Sequence, residues 1–183
     1  MASIRLPIET ERLLVRPLRL DDACDLHELY SDAEAMRFLA DAATIPHTLA
    51  ESEAWVQSKV DLYKRDGGMS LWALVERESG RVIGDAGLQW ETIAGARELD
   101  LGCRIVRRLH GRGYATEAST AILRAAFDAG FNRVTAQTAP DNAAALEVLR
   151  RVGFRIEGKT EWEGRPMAFG VCKLLEQPVE AGA

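Results

Sequence analysis

Cysteine is scarce in this sequence, and its three copies lie far apart. Cys24, Cys103 and Cys172 are the only cysteines in 183 residues, and they form no C-x-x-C pair. Zinc sites typically use cysteines at short spacings and disulfide frameworks an even number of cysteines, so the sequence favours neither. Thiols without such a framework are typical of a reducing compartment, and we therefore expect a cytoplasmic protein.

Long apolar runs are also missing. No stretch approaches the roughly 18 residues that a membrane-spanning helix needs. The first residues, Met1 to Pro7, contain no apolar export signal, so we expect neither a membrane partner nor secretion. Hydrophobic residues still make up 47% of the chain, which is enough for the core of one domain. We expect that domain to span residues 1–183, with a disordered tail at 176–183.

The sequence has no surplus of positive charge. Its net charge is −5, whereas proteins that bind nucleic acid without sequence preference present a basic surface. The charge balance argues against a nucleic-acid partner and is compatible with a cationic partner such as an amine. The sequence leaves open whether the chain forms a homodimer.

Hydrophobic periodicity divides the chain into short strands and helices. Period-two alternation predicts strands at 10–17, 70–76, 81–90, 98–105, 133–138, 154–161 and 166–174. Helical spacing and capping residues predict helices at 21–30, from 31 onwards, and at 48–65, 113–128 and 142–152. Asp21 and Asp22 are the predicted caps of the first helix. The order of these segments indicates a mixed α/β domain.

A strand ends near Ile105 and a helix begins near Gly113, and the segment between them has the character of an anion site. Gly111 and Gly113 permit a backbone path that is closed to other residues. The free N–H groups at a helix N-terminus attract anions, and the helix dipole adds to this attraction. Three arginines supply further positive charge beside the glycines: Arg107, Arg108 and Arg112. We therefore expect a phosphate or pyrophosphate at this loop.

Two other phosphate motifs do not fit this segment. A P-loop needs G-K-[ST] after a wider glycine spacing, and a dinucleotide fingerprint needs Gly or Ala where Thr116 stands. A binder of nucleotides or dinucleotides is therefore poorly supported. The local pattern alone leaves open that the glycines only shape a tight turn.

Three separated motifs occur in a fixed order along the chain. They are Thr10-Glu11-Arg12-Leu13 to Pro17 with Asp21-Asp22-Ala23, then Gly111-Arg112-Gly113-Tyr114-Ala115-Thr116-Glu117-Ala118, then Asp141-Asn142 with Leu149-Arg150-Arg151-Val152-Gly153-Phe154. Together they resemble the GNAT (GCN5-related N-acetyltransferase) superfamily, in its branch of ribosomal-protein N-terminal acetyltransferases and their relatives. The resemblance covers nearly the whole chain. It implies a twisted mixed sheet of about 6–7 strands, flanked by about four helices and split to admit acetyl-CoA.

The resemblance implies that the glycine loop holds the pyrophosphate of acetyl-CoA. The superfamily motif Q/R-x-x-G-x-G/A fits the sequence in two registers. Arg108-x-x-Gly111-x-Gly113 is a literal match, whereas His110-x-x-Gly113-x-Ala115 places His in the first position. We prefer the second register because it aligns the start of the helix, which fixes where the backbone N–H groups point.

The pantetheine arm of acetyl-CoA has its own implied contacts. By resemblance, it pairs with the backbone around Ile105 and Arg107, and Asn142 hydrogen-bonds to it. Asn142 is also a good N-cap without any ligand, and the two roles are compatible. The implied acetyl-CoA-binding residues are Ile105, Arg107, His110, Gly111, Arg112, Gly113, Tyr114, Ala115, Thr116 and Asn142.

Acetyl transfer requires a neutral amine, and therefore a base. A lysine-type amine near pKa 10.4 costs about 4–5 kcal/mol to deprotonate at pH 7, whereas an α-amine near pKa 8 costs about 1 kcal/mol. Asp100 is a candidate base because relatives commonly have Glu there, and Glu161 is another because some relatives carry a base in that segment. Glu98 and Glu163 are reserves. The alternative for each is a solvated carboxylate on a strand.

The sequence departs from the family pattern at the group that would protonate the departing thiolate. Ala145 stands where the branch usually has Ser, and Phe154 offers no hydroxyl. We expect an acetyl-CoA-dependent N-acetyltransferase that uses no metal and acts on a small-molecule or peptide amine by direct attack on the thioester. The departure at Ala145 leaves a second hypothesis open, a catalytically impaired CoA-binding sensor or scaffold.

Overall fold

The structure, a computed structural model, describes residues 4–38, 46, 48–162 and 164–173. Within these residues eight strands form one sheet in the order β1-β2-β3-β4-β5-β6-β8-β7. The strands are β1 Ile8–Glu9, β2 Leu13–Pro17, β3 Ser70–Glu76, β4 Val82–Ile93, β5 Ala96–Ile105, β6 Arg133–Thr138, β7 Arg155–Trp162 and β8 Arg165–Lys173. The helices are α1 Ala23–Tyr30, α2 Ala33–Met36, α3 Leu49–Arg65, α4 Tyr114–Asp128 and α5 Ala143–Arg151.

The mixed α/β fold is confirmed, with eight described strands where about six or seven were predicted. The additional strand is β1, which pairs with β2 through Ile8 and Glu9 only. Two residues are too few to produce a period-two signal, which explains why the pattern missed it. The described helices number five where about four were expected to flank the sheet, the short α2 being one of them. The predicted tail at 176–183 lies outside the described residues.

The start of α1 differs from its prediction. A 3-10 turn at Leu20–Asp22 precedes the helix, and Asp22 makes no side-chain capping bond to it. The Asp22 carboxylate instead accepts the Arg19 N–H at 2.8 Å and forms a two-bond ion pair with Arg16, 2.7 Å for each bond. The competing arginine explains the error, because a guanidinium binds a carboxylate more strongly than a neutral N–H does.

Two other helices begin at side-chain caps. Asp32 accepts the N–H groups of Glu34 and Ala35 at the start of α2. Thr48 and Glu51 form a reciprocal capping box at the start of α3, in which each side chain accepts the other residue's backbone N–H. These local bonds satisfy N–H groups that a helix leaves unpaired at its first turn.

The helices cover both faces of the sheet. On one face, Tyr30 of α1 donates its hydroxyl to Asp85 of β4. On the other, Cys103 of β5 is hydrogen-bonded to Ser119 of α4. The apolar core includes Leu13, Trp72, Leu74, Leu88 and Ile122, none of which is exposed. Burying each such side chain contributes about 1.5–3 kcal/mol, and this burial is the main force that holds the layers together.

One pair of neighbouring strands in the sheet is parallel, and its two strands are paired over only a short length. β5 and β6 share a single register pair, Asp100 with Thr135, whereas β4 and β5 are paired along their whole length. Beyond Asp100 the β5 strand continues to Ile105, and beyond Thr135 the β6 strand continues to Thr138. We call the gap between these two continuations the β5–β6 split.

A buried ion pair joins α1, β4 and β5 close to this split. Asp85 has no exposed surface, and its Oδ1 accepts the Arg104 Nε–H at 2.8 Å while its Oδ2 accepts the Tyr30 hydroxyl. The Arg104 guanidinium lies 4.9 Å from the ring centroid of Trp55 in α3. Burial and the neighbouring carboxylate raise the pKa of Tyr30 well above its usual range. The cluster therefore fixes the N-terminal helices on β4 and β5.

Replacing Asp85 tests how much the fold depends on this ion pair. Asp85→Ala leaves the Arg104 charge buried without its partner, so we expect the free energy of unfolding to fall by about 3–5 kcal/mol. Urea denaturation followed by circular dichroism measures this change. As a control, Asp61→Ala removes an exposed pair with Lys64 and should cost less than about 1 kcal/mol. Equal effects of the two substitutions would contradict the structural role of Asp85.

Candidate active site

The loop between β5 and α4 ends in a left-handed glycine at the start of the helix. A 3-10 turn at Arg107–Leu109 follows β5, and Gly111 and Gly113 have φ values of 75° and 83°. Gly113 is the N-cap of α4. The first bond within the helix runs from the Glu117 N–H to the Gly113 carbonyl, at 3.0 Å. The N–H groups that precede Glu117 therefore point out of the end of the helix.

These N–H groups form a site suited to an anion. No side chain from the described residues caps α4, whereas Thr48 caps α3. Tyr114, Ala115 and Thr116 supply the first three N–H groups of α4, and the helix dipole adds positive potential at the same point. The helix begins directly after Gly113.

Glu117 ties this end of the helix to the N-terminal segment. Its Oε1 accepts the Thr10 hydroxyl at 2.6 Å and the Arg12 N–H at 2.8 Å, and its Oε2 accepts the Arg12 Nε–H at 2.7 Å. Arg12 Nη1 also donates to the Arg112 carbonyl at 2.9 Å. Burial by itself raises the pKa of Glu117, but the hydrogen bonds from Thr10 and Arg12 outweigh it and lower the pKa. We call these contacts the Glu117 clamp.

Two of the three arginines of the loop are paired with the N-terminal helices. Arg107 Nε donates to Asp32 Oδ2, and Arg108 Nε donates to Glu28 Oε1, each at 2.8 Å. The third, Arg112, is exposed. Carboxylates therefore offset part of the positive charge that the sequence suggested, and the backbone N–H groups carry more of the attraction for an anion.

The His110 and Tyr114 side chains hold the loop in place. His110 Nε2 lies 2.8 Å from the Ile105 carbonyl oxygen, and since a carbonyl only accepts, Nε2 carries the hydrogen. The Tyr114 hydroxyl donates to Glu76 Oε1 of β3 at 2.5 Å. This hydrogen bond, followed by burial, raises the pKa of Tyr114. The Tyr114 side chain is thus bonded to the last residue of β3.

Asn142 caps α5 and keeps a donor group outside the cap. Its Oδ1 accepts the Ala145 N–H at 3.1 Å, and the cap uses only this oxygen. The side-chain NH₂ can therefore still donate to a ligand, so the capping role and the predicted pantetheine contact are compatible. Ala145 lies in the same helical turn and brings no hydroxyl to it.

Asp100 lies where the β5–β6 split begins. Its Oδ1 accepts the Thr135 hydroxyl at 2.8 Å, and Thr135 is its register partner on β6. Burial, and to a smaller extent the nearby Glu91 and Glu98, raise the pKa of Asp100 to about 7, while the Thr135 hydrogen bond acts in the opposite direction. A carboxyl group that titrates near neutral pH can take up and release protons under physiological conditions.

The other candidate carboxylates have different surroundings. Glu98 forms two bonds of 3.0 Å with Arg133, which is the arrangement of a structural ion pair. Glu161 is exposed on β7, opposite Pro166 of β8. Since β6 and β8 lie between β5 and β7, Glu161 is three strand positions, about 14 Å, from the strand that carries Asp100. Glu163 lies outside the described residues.

Comparison with known proteins identifies the family of this chain. A family model described as an acetyltransferase (GNAT) domain matches residues 12–155, which is most of the chain. The chain belongs to the GNAT acetyltransferase family. It is 27% identical over 151 residues to the uncharacterized N-acetyltransferase p20 of Bacillus licheniformis, a match that covers 81% of this chain and 82% of that protein. It is 25% identical over 152 residues to the uncharacterized N-acetyltransferase YoaA of Bacillus subtilis, with coverage of 82% and 84%.

Solved structures share the GNAT fold. A GNAT-family acetyltransferase from Bacillus anthracis superposes with a TM-score of 0.76 at 20% identity and covers 92% of this chain and 98% of its own. The ribosomal L7/L12 alpha-N-protein acetyltransferase RimL, solved in complex with coenzyme A, gives 0.77 at 19% identity, with coverage of 92% and 98%. At these identities the likeness supports the fold alone.

The sequence did not identify two features of this GNAT site. One is the Glu117 clamp, although both of its halves, the segment from Thr10 to Arg12 and the start of α4, were recognised as motifs. The other is Thr135, whose only sequence signal is its place in a predicted strand. Both depend on which strands and helices become neighbours.

In the part of the chain that the structure describes, no helix has the length and apolar character to cross a membrane. Across the same residues, no cluster of three or more His, Cys, Asp or Glu side chains could hold a metal ion.

Replacing Gly113 tests the anion site. A Cβ at φ 83° is strained, and a Val side chain there displaces the N–H groups at the helix end. We expect Gly113→Val to weaken CoA binding by about 10- to 100-fold, as measured by calorimetric titration. Gly130→Val is the matched control, because Gly130 has φ 93° and open space at the far end of α4. Unchanged CoA affinity in Gly113→Val, with the fold retained, would show that the loop does not bind the cofactor.

Proposed function

We propose that this protein transfers an acetyl group from acetyl-CoA to a primary amine, with Asp100 as the general base. The observation that carries the proposal is the position of Asp100, a carboxyl group with a pKa of about 7 at the start of the β5–β6 split. GNAT membership supports acetylation in general. The identity of the base and of the amine belongs to the proposal.

The described residues suit the binding of acetyl-CoA. The end of α4 offers backbone N–H groups and a dipole for a pyrophosphate, and Asn142 keeps a side-chain donor for an amide of the pantetheine arm. When bound, acetyl-CoA supplies the acetyl group as an activated thioester. The proposed binding residues are those of the loop and the α5 cap: Ile105, Arg107, His110, Gly111, Arg112, Gly113, Tyr114, Ala115, Thr116 and Asn142.

The pKa of Asp100 favours an α-amine as the acceptor. A base with a pKa of about 7 can accept a proton from an α-ammonium near pKa 8 at a cost of about 1.4 kcal/mol, whereas a lysine-type ammonium near 10.4 costs about 5 kcal/mol. We therefore place protein N-termini, peptides and amino acids ahead of lysine side chains. RimL acts on a protein α-amine by its description, and this similarity points in the same direction.

Ala145 affects the last proton transfer and motivates a second candidate function. Since Ala145 has no hydroxyl, we propose that water protonates the departing thiolate. If no group does so efficiently, the protein is a CoA-binding sensor or scaffold with impaired catalysis. Binding of CoA without turnover of any amine distinguishes that function from an acetyltransferase.

An amine panel combined with an Asp100 variant tests the proposed function. We expect the wild-type protein to release free thiol from acetyl-CoA with at least one class among short peptides, amino acids, polyamines and aminoglycosides. The kcat/KM of that reaction should rise with pH through about 7, because the carboxylate form of Asp100 is the base. Asp100→Asn should lower kcat/KM by about 10²- to 10⁴-fold and remove this rise. CoA affinity should not change.

Two further variants identify the source of the pH dependence. Glu147→Gln, at an exposed residue of α5, is a control that should leave the pH profile unchanged. If Glu161→Gln removes the rise and Asp100→Asn does not, Glu161 is the base. Absence of CoA binding in the wild-type protein would contradict the cofactor assignment.

Thr135 should tune the base. Its hydroxyl stabilises the carboxylate form of Asp100, so Thr135→Val should raise the Asp100 pKa above its value of about 7. The rise of kcat/KM should then move to higher pH by about one unit. Thr92→Val, at an exposed position of β4, is the control. A profile that moves to lower pH would contradict the assigned hydrogen bond.

A further inference from the structure

Gln137 of β6 carries a buried carbonyl oxygen without a partner. Within the described part of the chain, its Oε1 is the one buried side-chain nitrogen or oxygen that has no hydrogen bond. An unpaired buried acceptor is costly, and native proteins keep few of them. The ion pairs among the described residues, such as Arg133 with Glu98, show that polar side chains there are otherwise well matched. The exception therefore calls for a reason.

The place of Gln137 in the sheet suggests that reason. Successive side chains of a strand alternate between faces, so Arg133, Thr135 and Gln137 share one face of β6. On that face Arg133 bonds to Glu98, and Thr135 bonds to Asp100. Gln137 is two residues further along, about 7 Å, where β6 has separated from β5. Its oxygen thus lies on the Asp100 side of the sheet, at the β5–β6 split.

A cavity opens just beyond this position. Its volume is about 330 Å³, and Ala139, which directly follows the β6 strand, is part of its lining. The other lining residues follow α2, precede the cap of α5 or begin β8: Arg37, Phe38, Asp141 and Arg165. Gln137 itself is not among these lining residues, and the cavity lies at the end of the strand that carries it.

We propose that Gln137 Oε1 accepts a hydrogen bond from the acceptor amine and so orients it for reaction. This inference rests on the proposed acetyl transfer with Asp100 as base. After Asp100 has taken one proton, a primary amine keeps two N–H groups and a lone pair. One N–H held by Gln137 fixes the direction of the lone pair, which must point at the acetyl carbonyl. Gln137 is thus a positioning residue for the amine and not a base, since an amide does not take up the proton.

A structural role for Gln137 would give a different result when the side chain is replaced. If its oxygen served the fold, removing it would lower stability. An orphaned acceptor contributes nothing favourable to the free protein, so replacing Gln137 with an apolar side chain of similar length should leave stability unchanged or improve it. The loss should appear only when the amine is present.

The test compares Gln137→Met, which removes the oxygen at similar length, with Gln137→Glu, which keeps an oxygen acceptor. The probes are the best acceptor from the amine panel and ethylamine as a minimal primary amine. We expect Gln137→Met to lower kcat/KM for both amines by about 10-fold or more, mainly through KM. Gln137→Glu should recover a substantial part of this loss. Gln57→Met, at an α3 residue bonded to Asp61, is the control.

Three readouts separate the possible outcomes. CoA affinity by calorimetry should be equal in all variants, and the melting temperature of free Gln137→Met should be unchanged or higher. A fall in CoA affinity with unchanged KM for the amine would overturn the proposal by assigning the oxygen to the pantetheine arm. A melting temperature lowered by more than about 4 °C would assign it to the fold. If wild-type protein binds CoA but acetylates no amine, the proposed function itself fails, and Gln137 has no acceptor to hold.

Discussion

The parallel pairing of β5 and β6 is the constraint on which the site depends. Neighbouring parallel strands cannot be joined by a tight turn, so the chain must cross from the end of β5 back to the start of β6. Helix α4 makes this crossing, and its N-terminus therefore lies at the end of β5. The backbone register pairing between the two strands is limited to Asp100 and Thr135. One topological requirement thus places the anion-binding end of a helix beside the opening of the sheet.

The arrangement of charges on the sheet face that carries Asp100 explains why the pKa of Asp100 is raised. Asp85 is paired with Arg104, and Glu98 is paired with Arg133. Among the described contacts of Asp100, the hydrogen bond comes from the neutral hydroxyl of Thr135. Burial then dominates and raises the pKa of Asp100, since a hydroxyl stabilises a carboxylate less than a guanidinium does. The arginines of this face pair with the other carboxylates and hold the fold together. Asp100 remains as the carboxyl group that titrates near neutral pH.

Local patterns predicted most of the fold, whereas the contacts between distant segments had to come from the structure. The strand at 70–76 and the helix predicted at 48–65 follow from the spacing of apolar residues within each segment. The start of α1 was predicted wrongly because the Asp22 carboxylate forms an ion pair with Arg16 instead of capping the helix. Asp100 was chosen as a candidate base through resemblance to the family. Its pKa is raised by burial, which arises where two strands meet. No period or motif in a single strand carries that information.

The glycine loop is bonded to both ends of the N-terminal region. The Glu117 clamp attaches α4 to the segment before β2, while Arg107 and Arg108 attach the loop to Asp32 and Glu28. Asp32 caps α2, whose end contributes Arg37 and Phe38 to the cavity near β6. Exposed ion pairs of this kind are weak individually, so they can adjust without unfolding the core. The glycine loop and the residues that line the cavity are thus connected through contacts of the N-terminal helices.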